Sequence, residues 1–396
     1  MTIVVESYVA GGADRLLTQL LPNFKNLKIE LLINSSMDTR ILLDHPLPAN
    51  VKLHRYSWTT PASLGNWAVS AGSTKMVFVR RVLSILLRYP VMILLFLHFG
   101  VYFRRNRPSI LFINNGSYPG GGACLMAGVA AVLCGGIRVI HLVHSLATIQ
   151  QKPFFIFEWL IDRITEKQDH IVAVSYAVAK SLTHTRKLKI KIITIYNGLP
   201  ADRSFSPSTC IKPLKFLQVG YLNQNKNQRH SILALEILAK QGCKDIQITF
   251  AGEEAEKGYK AELVGLAKKL GVSEQIYFSG FVKNIENMYQ HYDAILLTSF
   301  VEGMPMCILE AMRAGRAAIA TTVGGVPELI EHARTGYLLK GSDPAELAET
   351  WKQILDKPEI LKRMGAGAYR LFLDKFTLDT QIGKYLELID MPLIQK

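Results

Sequence analysis

Two carboxylates in an otherwise apolar stretch have a spacing that would allow both to bind one ligand. The stretch VEGMPMCILEAMRAG (301–315) places Glu302 and Glu310 eight positions apart. On a predicted helix, Glu310 lies on the order of 7 Å beyond the helix start, and a carboxylate can accept hydrogen bonds from both hydroxyls of a ribose. A ligand that touches both glutamates would have the size of a nucleotide-sugar. Alternatively, Glu302 only complements the helix dipole and Glu310 points to solvent.

The start of the same predicted helix, 305–314, is a candidate anion site. Gly303 allows close backbone approach, and Pro305 fits the first helical position, where its missing N–H costs nothing. The backbone amides of Met304 and Met306 have no partner within the helix. Because they carry partial positive charge, they would suit a phosphate group.

Two other loops between a predicted strand and a predicted helix add candidate residues. Lys226 follows LKFLQVG (214–220), where its ammonium group would reach a diphosphate as a point charge; a solvated lysine is the alternative. Gly12 belongs to the turn AGGADR after the first strand. That turn is neither GxGxxG nor GxxxxGK[ST], so it carries no dinucleotide or P-loop signature, and a simple tight turn is the alternative reading.

Strand-like and helix-like segments alternate along the chain, which predicts an α/β fold with two Rossmann-like doubly wound domains facing a cleft. Predicted strands cover 2–8, 109–115, 138–145, 170–175, 192–197, 214–220, 246–252, 275–280, 294–299 and 317–322. Predicted helices cover 13–24, 81–103, 121–134, 155–166, 176–183, 228–242, 259–271, 284–292, 305–314 and 378–389. The predicted organisation is an N-terminal domain (1–197) that binds the acceptor, a linker rich in Pro, Ser and Thr (198–213), a C-terminal domain (214–375) that binds the donor, and a final helical segment (376–396) that packs back on the first domain.

Positive charge is concentrated in one segment. Between Asp44 and Glu158 there are eleven Lys or Arg residues and no Asp or Glu, while the rest of the chain holds 35 basic and 32 acidic residues. The same segment contains the uncharged run 89–103, flanked by arginines; its fifteen residues fall short of the roughly 20 that span a bilayer. This pattern favours contact with an anionic membrane surface. A buried helix with arginines snorkelling from its ends is the alternative.

Other classes of protein fit the sequence poorly. The basic segment carries no RNA- or DNA-binding motif, so we expect no nucleic acid partner. The five cysteines are scattered without a CxxC pair, which favours a reducing compartment and argues against structural zinc or disulfides. The first residues read as a buried strand rather than a secretory signal. We therefore expect a cytoplasmic protein, peripheral on the inner face of the membrane.

Taken together, these loops resemble the GT-B glycosyltransferases of family 4, the retaining group with an E-x7-E signature. The signature stands here as E-GMPMCIL-E followed by AMRAG, and AAIATTVGGVPELI, VGYLNQNKNQ, GGADRLLTQL and VAVSYAVAKSL match other parts of the family pattern. The resemblance covers nearly the whole chain and is loosest from about residue 25 to residue 135.

The resemblance implies a role for each candidate in the C-terminal domain. Glu310 would bind the donor ribose, and Glu302 would lie beside the donor sugar and its anomeric carbon. The backbone of 303–306 would hold sugar hydroxyls and the diphosphate, while Lys226 would neutralise the leaving phosphate. Tyr221 stands where the family usually has an arginine, which puts the second cation on the diphosphate in doubt.

In the N-terminal domain, the resemblance implies that Gly12 lets its loop approach the diphosphate. His144, in LVHS, matches a histidine near the sugar; a packed histidine beside His141 is the alternative. Ala317 and the pair Glu253–Glu254 also depart from the family pattern, at positions outside the carboxylate and lysine set.

The predicted function is retaining transfer of a sugar from a nucleotide diphosphate sugar to an acceptor hydroxyl. We expect neither cofactor nor metal, and a glycan or lipid-linked acceptor in cell-surface polysaccharide or glycolipid synthesis. A related GT-B enzyme, such as an epimerase or a phosphorylase, and a non-catalytic nucleotide-sugar-binding subunit remain alternatives.

Overall fold

The protein packs as two α/β units. The computed structural model describes residues 1–8, 11–44, 46–70, 74–150, 155–201, 208 and 210–391. Met1–Tyr196 and Ile382–Lys396 form the first unit, and Asn197–Gln381 forms the second. The predicted linker, 198–213, therefore falls within the second unit, and its residues 202–207 and 209 lie outside the described part of the chain.

The first unit is built on a seven-stranded, all-parallel sheet with the order β3-β2-β1-β4-β5-β6-β7. Its strands are β1 (Thr2–Glu6), β2 (Ile29–Asn34), β3 (Val51–Tyr56), β4 (Ile110–Asn115), β5 (Arg138–Val143), β6 (His170–Ala173) and β7 (Ile192–Thr194). Strands β1, β4 and β5 are buried along their whole length, as expected for parallel strands covered on both faces. The sequence analysis missed β2 and β3. At the sheet edge, the residues of β3 are half-buried or exposed and none is fully buried.

In the described part of the first unit, six helices connect these strands. They are α1 (Gly12–Leu20), α2 (Pro61–Val69), α3 (Thr74–Asn106), α4 (Gly122–Cys134), α5 (Phe155–Thr165) and α6 (Tyr176–His184). Helix α4 is buried over most of its length against the sheet, and α3 packs on α4 and α2.

The predicted bounds of α3 are wrong. The sequence predicted a helix over 81–103, but the structure gives 33 residues from Thr74 to Asn106, with Pro90 inside the helix. Of the described residues, only this helix is long and apolar enough to cross a membrane by length and composition. The length argument based on the uncharged run alone therefore does not apply to the helix as a whole.

The second unit is built on a six-stranded parallel sheet with the order β10-β9-β8-β11-β12-β13. Its strands are β8 (Leu214–Val219), β9 (Ile246–Ala251), β10 (Ile276–Gly280), β11 (Ala294–Leu297), β12 (Ala317–Thr321) and β13 (Gly336–Leu339). With two parallel sheets, each accompanied by helices, the predicted fold class is confirmed.

The helices of the second unit are α7 (Gln228–Lys240), α8 (Tyr259–Lys269), α9 (Met306–Arg313), α10 (Pro344–Asp356) and α11 (Glu359–Lys375). The predicted helix at 284–292 is wrong, because that segment forms two 3-10 turns, Ile285–Asn287 and Tyr289–His291. The last helix, α12 (Leu378–Asp390), contributes its residues from Ile382 onward to the first unit. There the Tyr385 ring lies 5.7 Å from the Phe112 ring, and Arg138 donates to the Ile389 carbonyl.

The strand order of each sheet decides which loops can share a site. In the second unit, β8, β11 and β12 are adjacent, so the loops at their carboxyl ends meet at one edge of the sheet. In the first unit, the same holds for β1, β4 and β5. Ligands of parallel α/β sheets bind outside such carboxyl ends, where the strand order reverses.

Candidate functional site

Lys226 and Glu302 form an ion pair at the carboxyl edge of the second sheet. The Nζ atom of Lys226 donates to Oε1 of Glu302 over 2.7 Å. The two side chains are mostly buried, with 22% and 11% of their surface exposed. Burial alone would lower the pKa of Lys226, but the adjacent Glu302 carboxylate outweighs it and holds the pKa above its ordinary value. Lys226 therefore stays protonated beside the Glu302 carboxylate, although both side chains are mostly buried.

The backbone around Lys226 is fixed by strand-end polar side chains. Asn227 adopts a left-handed conformation, φ 49°, just before α7. The carbonyl of Lys226 accepts from Nε2 of Gln218 at 2.9 Å, and the Thr298 hydroxyl donates to the Asn227 carbonyl at 2.9 Å. The amide of Lys226 donates to Oδ1 of Asn223 at 2.9 Å. Residues at the ends of β8 and β11 thus position the ammonium group.

Asn225 joins the loop of Lys226 to the loop of Glu302. Its side chain accepts from the Val301 amide at 3.1 Å and donates to the Val301 carbonyl at 3.2 Å, and its own carbonyl accepts from the Phe300 amide at 2.9 Å. The sequence analysis assigned no role to Asn225. Its available signal was the run of amide side chains, NQNKNQ, around Lys226.

The loop after β12 passes directly over the Glu302–Gly303 turn. Gly324 has φ 50°, and a Cβ atom there would lie 1.6 Å from the Glu302 carbonyl oxygen. The amide of Gly325 donates to the Gly303 carbonyl at 3.1 Å. Only glycine permits this approach, so Gly324 belongs to the site; the sequence showed it only as part of the motif VGGV.

Helix α9 begins one residue later than predicted. Pro305 is the N-cap, with φ −70° and ψ 118°, and Met306 is the first helical residue. Gly303, Met304 and Met306 are buried around this helix start, and the amide of Asn197 points to the sulfur of Met304 at 3.2 Å. The first amides of a helix have no intrahelical acceptor, so the predicted anion site keeps its physical basis beside Lys226 and Glu302.

Glu310 is held inside the unit rather than in solvent. It is the fifth residue of α9 and only 4% exposed. The Tyr289 hydroxyl donates to Oε2 of Glu310 over 2.6 Å. The alternative in which Glu310 points to solvent is therefore wrong. Tyr289 was missed in the sequence because its segment was interpreted as a regular helix.

The thiol of Cys307 lies next to the ion pair. Cys307 is buried beside the ion pair, and burial raises the pKa of its thiol to about 12, so it stays protonated at neutral pH.

Tyr221, which replaces the expected arginine, has its carbonyl bound by Nε2 of Gln228 at 3.0 Å. Lys226 supplies a cation close to Cys307, the second residue of α9.

The first unit holds the other predicted residues, Gly12 and His144. His144 follows β5, and its Nε2 atom lies 2.7 Å from Oδ1 of Asn114 at the end of β4. The side-chain nitrogen of Asn114, Nδ2, donates in turn to the carbonyl of Ala13 at 3.4 Å. Ala13 lies in the first turn of α1. Asn114, which the sequence analysis did not single out, therefore links His144 to the turn that starts at Gly12.

The hydrogen bond to Asn114 defines the chemistry of His144. Because Oδ1 of Asn114 is an acceptor, Nε2 of His144 carries the proton and Nδ1 is left as an acceptor. Burial lowers the pKa of His144 to about 4. The ring is therefore neutral at pH 7 and suited to accept a hydrogen bond from a hydroxyl.

His141, by contrast, is a packed histidine. It is fully buried, with Nδ1 lying 3.1 Å from Oε1 of Gln168 and Nε2 lying 3.2 Å from Nδ2 of Asn115. Both ring nitrogens are therefore used within the core. The two histidines of HLVH differ because alternate strand positions face opposite ways, and His144 lies beyond the strand end.

Comparison with known families agrees with the fold and with the sequence motifs. The sequence model described as glycosyltransferase family 4 matches residues 11–203, and the one described as glycosyl transferases group 1 matches residues 205–371. The two matches together leave out only the chain ends and residue 204. The chain belongs to the GT-B glycosyltransferases of the family 4 group.

Curated relatives match parts of the chain. The glycosyltransferase EpsD of Bacillus subtilis is 34% identical over 179 residues, which are 44% of this chain and 46% of that protein. The N-acetyl-alpha-D-glucosaminyl L-malate synthase of Bacillus anthracis is 26% identical over 230 residues, 56% of this chain and 59% of that protein. The chain thus spans about half the length of these two relatives.

Solved structures match the whole chain. Anabaena Alr3699/HepE, in complex with UDP and glucose, superposes with a TM-score of 0.74 at 17% identity, over 99% of both chains. A mutant of S. aureus TarM, in complex with fondaparinux, alpha-GlcNAc-glycerol and UDP, gives a TM-score of 0.74 at 11% identity, again over 99% of both chains. At this identity the likeness establishes the GT-B fold.

Proposed function

We propose that this protein is a retaining glycosyltransferase that moves a sugar from a nucleotide diphosphate sugar to an acceptor hydroxyl. The observation that carries the proposal is the Lys226–Glu302 ion pair at 2.7 Å beside the start of α9. A charged ammonium, unpaired helix amides and a carboxylate lie together where charge must be neutralised during such a transfer.

The departing diphosphate is the difficult part of the reaction. As the bond between the anomeric carbon and the phosphate oxygen breaks, negative charge develops on the diphosphate. Lys226 and the amides of Met306 and its neighbours stabilise that charge, a contribution that is typically worth several kcal/mol. Because these groups supply the positive charge themselves, we propose that no metal ion is needed, and that chelation with EDTA leaves turnover unchanged.

The remaining residues bind the two ends of the donor. Glu310, held by Tyr289, accepts from the ribose hydroxyls, while Glu302 and the backbone of Gly303 bind the sugar. The neutral ring of His144 accepts a hydrogen bond from a sugar hydroxyl through Nδ1. Gly12, exposed at the first position of α1, leaves room for the diphosphate.

We assign the acceptor to the class of glycans or lipid-linked glycans, used in cell-surface polysaccharide or glycolipid synthesis at the inner face of the membrane. The acid-free, cationic segment of the first unit supports a lipid-linked acceptor. The solved relatives include complexes with UDP, which makes UDP-sugars the first donors to test.

A second candidate function is a nucleotide-sugar-binding subunit without turnover. It is favoured by one observation, namely Tyr221 at the position of an expected second cation. Under this alternative, donors bind normally, but neither transfer nor donor hydrolysis is measurable. A GT-B epimerase would instead convert the nucleotide-sugar without an acceptor glycan, and a phosphorylase would require inorganic phosphate to accept a sugar from a glycan.

A panel of UDP-, GDP- and ADP-sugars tests the proposal in two stages. A donor that binds the folded state raises the melting temperature, and the panel identifies it. The release of nucleoside diphosphate then measures turnover of that donor, with and without EDTA. Proton NMR of the product assigns its anomeric configuration. An inverted product would reject retention, and donor affinity without turnover would establish the binding subunit.

A further inference from the structure

The first half of α3 exposes apolar side chains to solvent on several sides. Phe78 is 68% exposed, and Ile85 and Leu86 are 51% and 62% exposed. Monomeric proteins rarely expose a contiguous apolar surface of this kind without an interaction partner. This part of the helix therefore requires an apolar environment that the first unit itself does not supply.

The second half of α3 is two-sided. One side packs into the first unit through side chains spaced three or four residues apart, which are Val91, Met92, Leu95, Phe99 and Phe103. The opposite side presents the apolar residues Ile93, Leu94, Leu97 and Val101 to solvent. A helix that is packed on its own protein along one side cannot be surrounded by lipid, so a spanning orientation conflicts with these contacts. An orientation in the plane of a membrane interface does not.

The neighbouring helices extend the exposed surface with tryptophan. Trp159 of α5 and Trp67 of α2 are 50% and 40% exposed. Helix α5 meets α3 where the rings of Tyr89 and Phe157 lie 4.6 Å apart, and the Arg80 guanidinium lies 4.8 Å from the centre of the Trp67 ring. Tryptophan side chains concentrate at membrane–water interfaces because their rings combine an apolar body with a polar N–H.

The charges along this surface have one sign. Arg81, Arg104 and Arg105 are exposed on α3, and no acidic residue occurs between Asp44 and Glu158. The two carboxylates of α5, Glu158 and Asp162, are buried, and both pair with Arg186 at 2.9 Å. An apolar surface that exposes cations, while the carboxylates of α5 are buried, complements an anionic bilayer, whereas a second copy would bring the same cations against each other.

A cavity of about 540 Å³ lies at the end of the exposed stripe and offers room for a polar headgroup. Leu97, Val101 and Arg105 line it from α3, together with His54 and His98. Among the described residues, the Nε2 atoms of both histidines are buried without a hydrogen-bond partner. The cavity also contains one carboxylate, Glu30, which accepts from the Tyr102 hydroxyl.

We propose that the exposed face of α2, α3 and α5 docks on an anionic membrane, with α3 lying in the plane of the interface. This inference goes beyond the transferase activity, and it is tested without any donor. Lipid acyl chains would cover the apolar side chains, and phosphate headgroups would meet the arginines.

Sedimentation of the full chain with vesicles is the direct test. We expect binding to phosphatidylcholine vesicles that contain about one third phosphatidylglycerol, release at high salt, and little binding to phosphatidylcholine alone. Leu94→Glu should weaken binding at least about 10-fold, because it puts a charge into the apolar interface. Leu373→Glu is the matched control, since Leu373 is exposed on α11 in the second unit, and it should leave binding unchanged.

The charge contribution has its own pair of variants. Arg81→Ser with Arg105→Ser should weaken binding and reduce its salt dependence, whereas Arg363→Ser with Arg370→Ser on α11 should do neither. In the wild type, brominated lipids should quench the fluorescence of Trp67 and Trp159, while the buried Trp58 and Trp351 retain theirs.

Several outcomes would overturn the proposal. The first is failure of the wild type to bind anionic vesicles, and the second is binding that neither high salt nor Leu94→Glu weakens. The third is resistance to extraction by alkaline carbonate, which would indicate a spanning helix. A dimer in light scattering that Leu94→Glu dissociates, without vesicle binding, would assign the surface to a second copy. Because every variant is compared by urea unfolding, a misfolded variant would be recognised. The donor-binding assay separates failure here from failure of the transferase proposal.

Discussion

The donor-side loops of the second unit and the α3 surface of the first unit differ in how their side chains are held. Lys226 and Glu302 pair with each other, hydrogen bonds fix the backbone around them, and a glycine allows two backbones to touch. On α3, apolar side chains such as Phe78 and Leu94 remain exposed. The donor-side loops are held by contacts within the second unit, whereas the described residues of the first unit leave the α3 side chains exposed.

This difference teaches how function is encoded in each region. In the donor-side loops it depends on individual atoms at fixed distances, so a single substitution can remove it. On α3 it depends on the summed area and charge of many side chains, so single substitutions weaken it by degrees. The predictions below test that contrast, beginning with the largest effect.

Breaking the ion pair should have the largest effect. Glu302→Gln and Lys226→Ala should each lower turnover at least about 100-fold, because each removes charge stabilisation at the reacting centre. The measurement is steady-state transfer with the donor found in the binding panel. Normal turnover of both variants would show that the site lies elsewhere.

A second Glu–Lys pair provides the control for that experiment. Lys240 and Glu236 form an ion pair of 2.6 Å on the surface of α7, where the lysine side chain is 72% exposed. Surface pairs contribute only about 0–1 kcal/mol. Glu236→Gln and Lys240→Ala should therefore leave both turnover and stability nearly unchanged.

Gly324→Ala should produce the next largest effect. The new methyl group would meet the Glu302 carbonyl at 1.6 Å and occupy a backbone with φ 50°, so the Glu302–Gly303 turn must move. A displacement of about 1 Å near a reacting centre can lower turnover roughly 10- to 100-fold. Transfer kinetics and the melting temperature measure the two consequences; a variant with unchanged kinetics would exclude a positioning role for this contact.

Sequence and structure agree best where a local motif prescribes the geometry. The strand–loop–helix pattern predicted Lys226, Glu302 and the start of α9 in one place, because the carboxyl ends of adjacent parallel strands meet. It did not predict Tyr289 as the partner of Glu310, or Asn114 as the partner of His144, since these contacts join residues 21 and 30 positions apart. Such pairings depend on tertiary packing, which leaves no periodic signal.

The first unit shows a different limit of the sequence. The α3 helix begins at Thr74, ahead of the predicted residue 81, and ends at Asn106, after the predicted residue 103. An apolar pattern on all sides of a helix gives no boundary, so the sequence placed only the middle of the helix, including Pro90. The edge strand β3 was missed for a related reason, because a half-exposed strand has a weak alternation of burial.

A pH experiment measures the contribution of the packed histidine, His141, to stability. Burial lowers the pKa of His141 to about 4, from 6.5. When a histidine has a lower pKa in the folded state than in the unfolded state, its contribution to folding stability is fully present above the unfolded pKa. That contribution is lost as the pH falls toward the folded pKa. Between about pH 7 and about pH 5 the wild type should therefore lose about 2 kcal/mol through His141.

The variant His141→Gln should remove that part of the pH dependence while keeping a polar side chain at the position. Urea unfolding of wild type and variant at the two pH values measures the difference. An equal loss of stability in both proteins would show that His141 does not contribute to the acid sensitivity.

The smallest expected effect is a gain in stability from a glycine on α3, in contrast to the loss of turnover expected for Gly324→Ala. Gly100 lies within α3, and a Cβ atom there would meet nothing within 4 Å. Because glycine in a helix interior costs roughly 0.5–1 kcal/mol relative to alanine, Gly100→Ala should stabilise the protein by about that amount. Turnover and vesicle binding should stay as in the wild type. If Gly100→Ala instead lowered turnover as Gly324→Ala is expected to do, the contrast between a region defined by atomic contacts and one defined by surface area would fail.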